Sequence, residues 1–192
     1  MPSPPSILVS GAAELAAPVA EAVRSRGATV TEVHDLADLP VVCGEAGPGA
    51  FDSYIQLPAN FQPHGETAIA RVHHFYADGV LARFRALDAA LPALADPARL
   101  TYVLGRLPPE AATEHDREAR QALTRVLTHA ARADRQGGRL HVRVLEAGTA
   151  PEDVALVALG RGPDPGLLEE RLSGASYADW RVELFGLAVV ET

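Results

Sequence analysis

The chain has 192 residues, 47% of them hydrophobic, which is enough for one globular domain with a sizeable core and too few for two. Its formal net charge of −8, with seventeen arginines interleaved among carboxylates and no lysine, opposes binding to nucleic acid or to an acidic membrane surface. Cys43 is the single cysteine, so an intrachain disulfide and a multi-cysteine metal site are excluded.

Met1–Ser6 lacks the basic start of a secretory leader and is expected to be a flexible lead-in to a single domain over 1–192. No apolar run approaches the roughly 20 residues of a membrane span, so the cytoplasm is the expected compartment. Ile7-Leu8-Val9 reads as a strand buried on both faces, and Gly11 permits a tight turn after it. Leu15, Val19, Ala22 and Val23 recur at helical spacing until Gly27, and Ala28–Val33 follows as a strand. Strand, helix and strand in about thirty residues make a right-handed βαβ unit with parallel strands.

Residues 34–51 carry Pro40, Gly44, Gly47, Pro48 and Gly49 and read as loop, with a short strand possible at Val41-Val42. Phe51–Leu57 is the next strand. A long helix is expected over 66–91, with Ile69, Val72, His73, Tyr76, Val80, Phe84, Leu87 and Leu91 on one stripe. Leu100–Leu104 reads as a strand, 111–133 as the best helix of the chain, Leu140–Leu145 as a strand, and Pro151–Leu159 as a short helix with an acidic first turn. A short helix at 167–172 and a last strand at 182–190 complete the pattern. Alternation of strand and helix predicts an α/β open sheet.

In this order the elements resemble the short-chain dehydrogenase/reductase family. The likeness is carried by Ile7–Ala13 as the glycine-rich first turn, Phe51–Ile55 as the Asp-bearing fourth strand and Ala89-Ala90-Leu91-Pro92 as the end of the helix after it. It continues in Ala122–Leu127, like the helix that bears the catalytic tyrosine and lysine, and in Val142–Thr149, like the strand and loop beyond. The resemblance implies a Rossmann-like, doubly wound, mostly parallel sheet with helices on both faces, here shortened after the second strand. It also implies NAD(P) at Ser10, Gly11, Leu15 and Asp35, and a homodimer or homotetramer paired through the helices 66–91 and 111–133.

The departures from the family pattern bear on function. Where the family has glycines to bring backbone N–H groups onto a pyrophosphate, this chain has Ser10-Gly11-Ala12-Ala13-Glu14-Leu15-Ala16-Ala17. Leu15 fills a glycine position and Glu14 adds negative charge. The family's catalytic tyrosine and lysine align with Thr113 and Arg117, and no serine occurs from Tyr54 through Leu172. A threonine hydroxyl cannot replace a phenol as the proton donor. The chain is therefore identified as a degenerate member, with its oxidoreductase chemistry and cofactor lost, acting as a non-catalytic subunit, a scaffold or a small-ligand sensor, alone or with a related enzyme subunit. The alternative is an atypical NAD(P)-dependent oxidoreductase in which Thr113, Arg117, His115 or Tyr102 carries a rearranged site.

Other candidates have plainer readings. His73-His74 with Tyr76 and Asp78 could ligate a metal, but adjacent helical residues point about 100° apart, and no metal site is expected. His115-Asp116 suits an ordinary helix start. Cys43 reads as a buried thiol, and Trp180 as packing for a C-terminal segment.

Overall fold

A computed structural model describes residues 3–105, 114–135 and 138–161. The expected segments at 167–172 and 182–190, Trp180, and Thr113 lie outside the described residues. The sheet has five parallel strands, β1 (Ser6–Ser10), β2 (Thr29–Val33), β3 (Phe51–Gln56), β4 (Leu94–Val103) and β5 (Leu140–Leu145), in the order β2-β1-β3-β4-β5. A strand order running outward in both directions from β1 and β3 leaves a crevice at their C-terminal ends, where doubly wound folds take ligands.

Helices cover both faces. α1 (Ala13–Arg24) and α6 (Pro151–Ala158) pack on one face against Ile7, Val9, Ile55 and Val103. The other face, with Leu8, Tyr54, Leu100 and Val142, is covered by α2 (Leu39–Ala46), α4 (Leu81–Ala90) and α5 (Glu114–Asp134). Of the expected α1 stripe, Val19, Ala22 and Val23 are buried, whereas Leu15 is 42% exposed and Ala16 and Ala20 complete the buried face instead. Pro18 is tolerated within α1 because it is exposed and the partner its missing N–H gives up is the carbonyl of Glu14, in the first turn.

Three expectations need correction. Residues 34–51 are not simply loop, and Val41-Val42 is no strand: both lie in α2, where Pro40 occupies the first turn, Leu39 and Cys43 bury one turn apart, and Gly47 ends the helix at φ 82°. The helix over 66–91 is broken into α3 (Ala68–His74), a π-helical turn (Phe75–Val80) and α4. Leu87 and Leu91 reach the core, whereas Ile69 is 83% exposed and Val72 55% exposed. A π turn inserts an extra residue, rotating the helix before it by about 100° relative to the helix after it, so a single stripe cannot stay on one face. β4 also begins six residues before the expected Leu100, with a register irregularity opposite Phe51–Ser53. Among the described residues, no helix is long and apolar enough to cross a membrane.

Candidate functional site

The crevice is built by strand register. Ser10 stands opposite Val33 on one side and Gln56 on the other, which brings the ends of β1, β2 and β3 together. The Ser10 hydroxyl is buried and shares a 2.7 Å hydrogen bond with the Tyr54 phenol. It is thus turned into the sheet. Burial pushes the Tyr54 phenol well above its ordinary value, the Ser10 hydrogen bond only partly opposing it, which suits a neutral structural tyrosine.

Gly11 is required by packing. At φ 141° its position would put a Cβ 2.6 Å from Leu57 Cβ and 3.0 Å from the carbonyl oxygens of Leu57 and Pro58. The Gly11 N–H donates to the Val33 carbonyl at 3.1 Å, and the Ala12 N–H to the Pro58 carbonyl at 3.0 Å. These two amides, which in a phosphate-cradling turn would face the ligand, are committed within the protein.

At the start of α1, Ala12 offers no side-chain cap. Its first-turn donors need an acceptor from elsewhere, and a carboxylate is favoured there by the helix dipole. Glu14 supplies it. Its own backbone N–H, and then the Asn60 amide at 2.6 Å, hold the Glu14 carboxyl below the usual carboxylate range. Leu15 beside it is 42% exposed. Asp35 lies past the end of β2, as the resemblance implies, but its Oδ1 accepts the Ala37 N–H at 2.9 Å and shapes the turn into α2.

On the opposite flank, Arg83 of α4 reaches over the ends of β3 and β4. Its guanidinium donates to the carbonyls of Gln56 (3.3 Å) and Val103 (3.0 Å) and lies 3.9 Å above the Tyr102 ring. Gln56 is fully buried, and its Nε2 donates to the Arg83 carbonyl at 3.1 Å. Tyr102 is 5% exposed beneath this guanidinium. Arg117 and His115 belong to α5, and nothing is described of their side chains.

His73 and His74 do not act together. His74 packs against His64, with ring centroids 3.6 Å apart and the planes tilted by 54°, and its Nε2 lies 3.5 Å from Asp78, whereas His73 is exposed. Among the described residues, no three His, Cys, Asp or Glu side chains form a cluster able to hold a metal ion. Sequence reading missed Tyr54, Gln56, Asn60, His64 and Arg83. The periodicity of β3 could have placed Tyr54 and Gln56 on the face of Ser10; the others reach the site from a loop or from α4.

No protein-family model and no curated protein sequence matches the chain. Solved structures do. A small-chain dehydrogenase matches at TM-score 0.61 with 14% identity, covering 82% of this chain and 89% of that one. The likeness fixes the fold. The protein lin1944 from Listeria innocua matches at TM-score 0.55 and 12% identity, over 85% of this chain and 96% of that one. BdcA, solved in complex with NADPH, matches at TM-score 0.54 and 15% identity, over 83% and 87%. This chain thus has the Rossmann-like fold of those proteins, while the residues at its crevice are its own.

Proposed function

We propose that the protein keeps a dehydrogenase-type fold without the oxidoreductase chemistry, and works as a cytoplasmic, homo-oligomeric, non-catalytic subunit, scaffold or small-ligand sensor. The observation that carries this reading is Glu14. Its carboxylate sits on the α1 N-terminus, the position a pyrophosphate takes in dinucleotide-binding folds, and Asn60 ties it there. The committed amides of Gly11 and Ala12 support the same reading, as does Asp35, whose carboxylate is spent on a turn. Thr113 at the family's tyrosine position adds the lack of a phenolic acid.

Fluorescence titration with NADH and NADPH, paired with thermal shift, tests it. The proposal expects no saturable binding in the micromolar range and no ligand-dependent rise in Tm. Saturable micromolar binding of either dinucleotide sinks it.

A second reading, an NAD(P)-dependent oxidoreductase with a rearranged site, is favoured by the fold shared with NADPH-bound BdcA. The proton donor would then come from Tyr102, Thr113, His115 or Arg117. Tyr102 stands near the C-terminal end of β4, with the Arg83 guanidinium over its ring.

A further inference from the structure

Between β3 and α3, residues 58–67 run from the start of α1 to the face of α3 and its π turn. One end is tied to α1: the Pro58 carbonyl accepts the Ala12 N–H, and Asn60 holds Glu14. The other end is tied to α3 and the π turn. The His64 backbone N–H donates to His74 Nδ1 at 3.0 Å, the Gly65 carbonyl accepts from Arg71 at 3.0 Å, and Phe61 lies on Gly79, where an added Cβ would meet its ring at 2.9 Å. Phe61 also packs against His74, with centroids 4.8 Å apart and the rings tilted by 45°.

We propose that this segment is a pH-operated strap, latched by the His64–His74 pair and released from the α1 N-terminus when the pair takes up protons. The direction is set by the hydrogen-bond arrangement. His74 Nδ1 can accept the His64 N–H only while it carries no proton, which leaves the tautomer with hydrogen on Nε2, pointed at Asp78. Protonation keeps the Asp78 contact and sets a second N–H against the His64 donor. A charged His64 ring at 3.6 Å then adds repulsion between like charges. Histidine changes charge between about pH 5 and pH 8, so acidification opens the latch and a return to neutral pH closes it.

The other charged or titratable groups around the pair are Glu66 on the strap, Arg71 and His73 on α3, and Asp78 on the π turn. Among the described residues, Asp78 is the carboxylate within ion-pair distance of either ring, and the Arg71 guanidinium is on the Gly65 carbonyl. Glu14 does not confuse the readout, because its carboxyl is held below the usual range and stays ionised throughout this window. The strap is independent of whether the crevice takes a dinucleotide, since none of its latch residues is a cofactor-contact position.

Uniform ¹⁵N labelling of the full chain reports the His64 backbone amide together with the side-chain amide of Asn60, the single asparagine of the wild-type sequence. From about pH 7.5 to about pH 5.5, the His64 backbone amide and the Asn60 side-chain signals move together in one transition. In His74→Asn, whose Oδ1 is an acceptor near the Nδ1 position that does not titrate, the Asn60 signal stays flat over that range and the His64 amide keeps only the shift caused by its own imidazole. Signals that are flat in the wild type, that move equally in the variant, or a His64 shift without an Asn60 shift each overturn the strap. Hydrogen exchange on the wild-type chain needs no variant to fold: after correction for intrinsic rates, the His64 amide, which the latch protects, loses roughly tenfold of its protection at the acid end. Unchanged protection overturns the proposal.

Discussion

Asn60 donates its side-chain amide to the Glu14 carboxylate at 2.6 Å, joining the loop after β3 to the first turn of α1 across 46 residues of sequence. The carboxyl is held below its ordinary value because its charged form accepts from its own N–H and from Asn60. A depressed folded-state value adds stability above the unfolded value, and that stability is lost as pH falls through the folded one. Glu14→Gln therefore lowers Tm most near neutral pH. Below the ordinary carboxylate range, about pH 4, the two melting curves converge. A Tm difference that does not change with pH would falsify this account of Glu14.

Gly11→Ala separates packing from ligand binding. The new Cβ meets Leu57 and Pro58 at a φ that L-residues rarely adopt, which costs about 2–3 kcal/mol. In a chain of this size that lowers Tm by roughly 5–10 °C. A variant as stable as the wild type would show that the turn relaxes freely and that packing does not require the glycine.

The Ser10–Tyr54 hydrogen bond is buried on both sides, so removing one partner leaves the other unsatisfied. Tyr54→Phe costs about 1–2 kcal/mol. Adding Ser10→Ala to that variant recovers part of the loss, because no orphaned hydroxyl remains. Chemical denaturation of the two single variants and the double variant measures the coupling; strict additivity would mean that the two hydroxyls do not interact.

The elements legible in the sequence are those whose periodicity is long and unbroken. Leu140–Leu145 alternates cleanly and has the observed bounds of β5, and Val19, Ala22 and Val23 mark the buried face of α1, although Leu15 at the start of the same stripe is exposed. In α2 the apolar pair Leu39 and Cys43 is too short a signal against Pro40, Gly44 and Gly47. In the helix after β3, each half keeps a helical period, but the π turn between them shifts its phase. At the crevice, the local residues Ser10, Gly11, Glu14 and Asp35 are readable as a degraded turn. Their partners Tyr54, Leu57, Asn60 and Val33 are not, because those contacts are set by strand register and loop course rather than by nearby sequence.

Cys43 should be chemically silent in the folded protein. It is a free thiol, 5% exposed in the core, and burial pushes it up from its ordinary value. A raised folded-state value contributes stability below the unfolded value, about 8.5, and that contribution fades as pH rises beyond it. A thiol reagent at neutral pH should thus modify the chain only at the rate of its opening, and Cys43→Ala should flatten the decline in stability above about pH 8.5. Rapid, stoichiometric labelling of the native protein would place the thiol at the surface.

The outward face of α3 and its π turn gives the oligomer prediction. Ile69 is 83% exposed, Val72 55%, Tyr76 40% and Phe75 38%, and Leu81 at the head of α4 is 51% exposed. These side chains lie close together along one helical segment, and an apolar patch rimmed by polar residues marks an interaction surface. The helix pairing implied by the family resemblance makes a second copy the fitting partner, with this segment meeting its two-fold mate or α5. Burying an Ile or a Val contributes about 1.5–3 kcal/mol each, and in a symmetric dimer each residue counts twice. Ile69→Glu with Val72→Glu should therefore weaken association by more than roughly a hundredfold. Neither side chain packs in the core of its own subunit, so the folded monomer should survive the change. Sedimentation of the wild type at tens of micromolar should give a dimer or tetramer, and the double variant a monomer with an intact circular dichroism spectrum. A wild-type chain that sediments as a strict monomer leaves the patch without its partner and removes the oligomer from the proposed function.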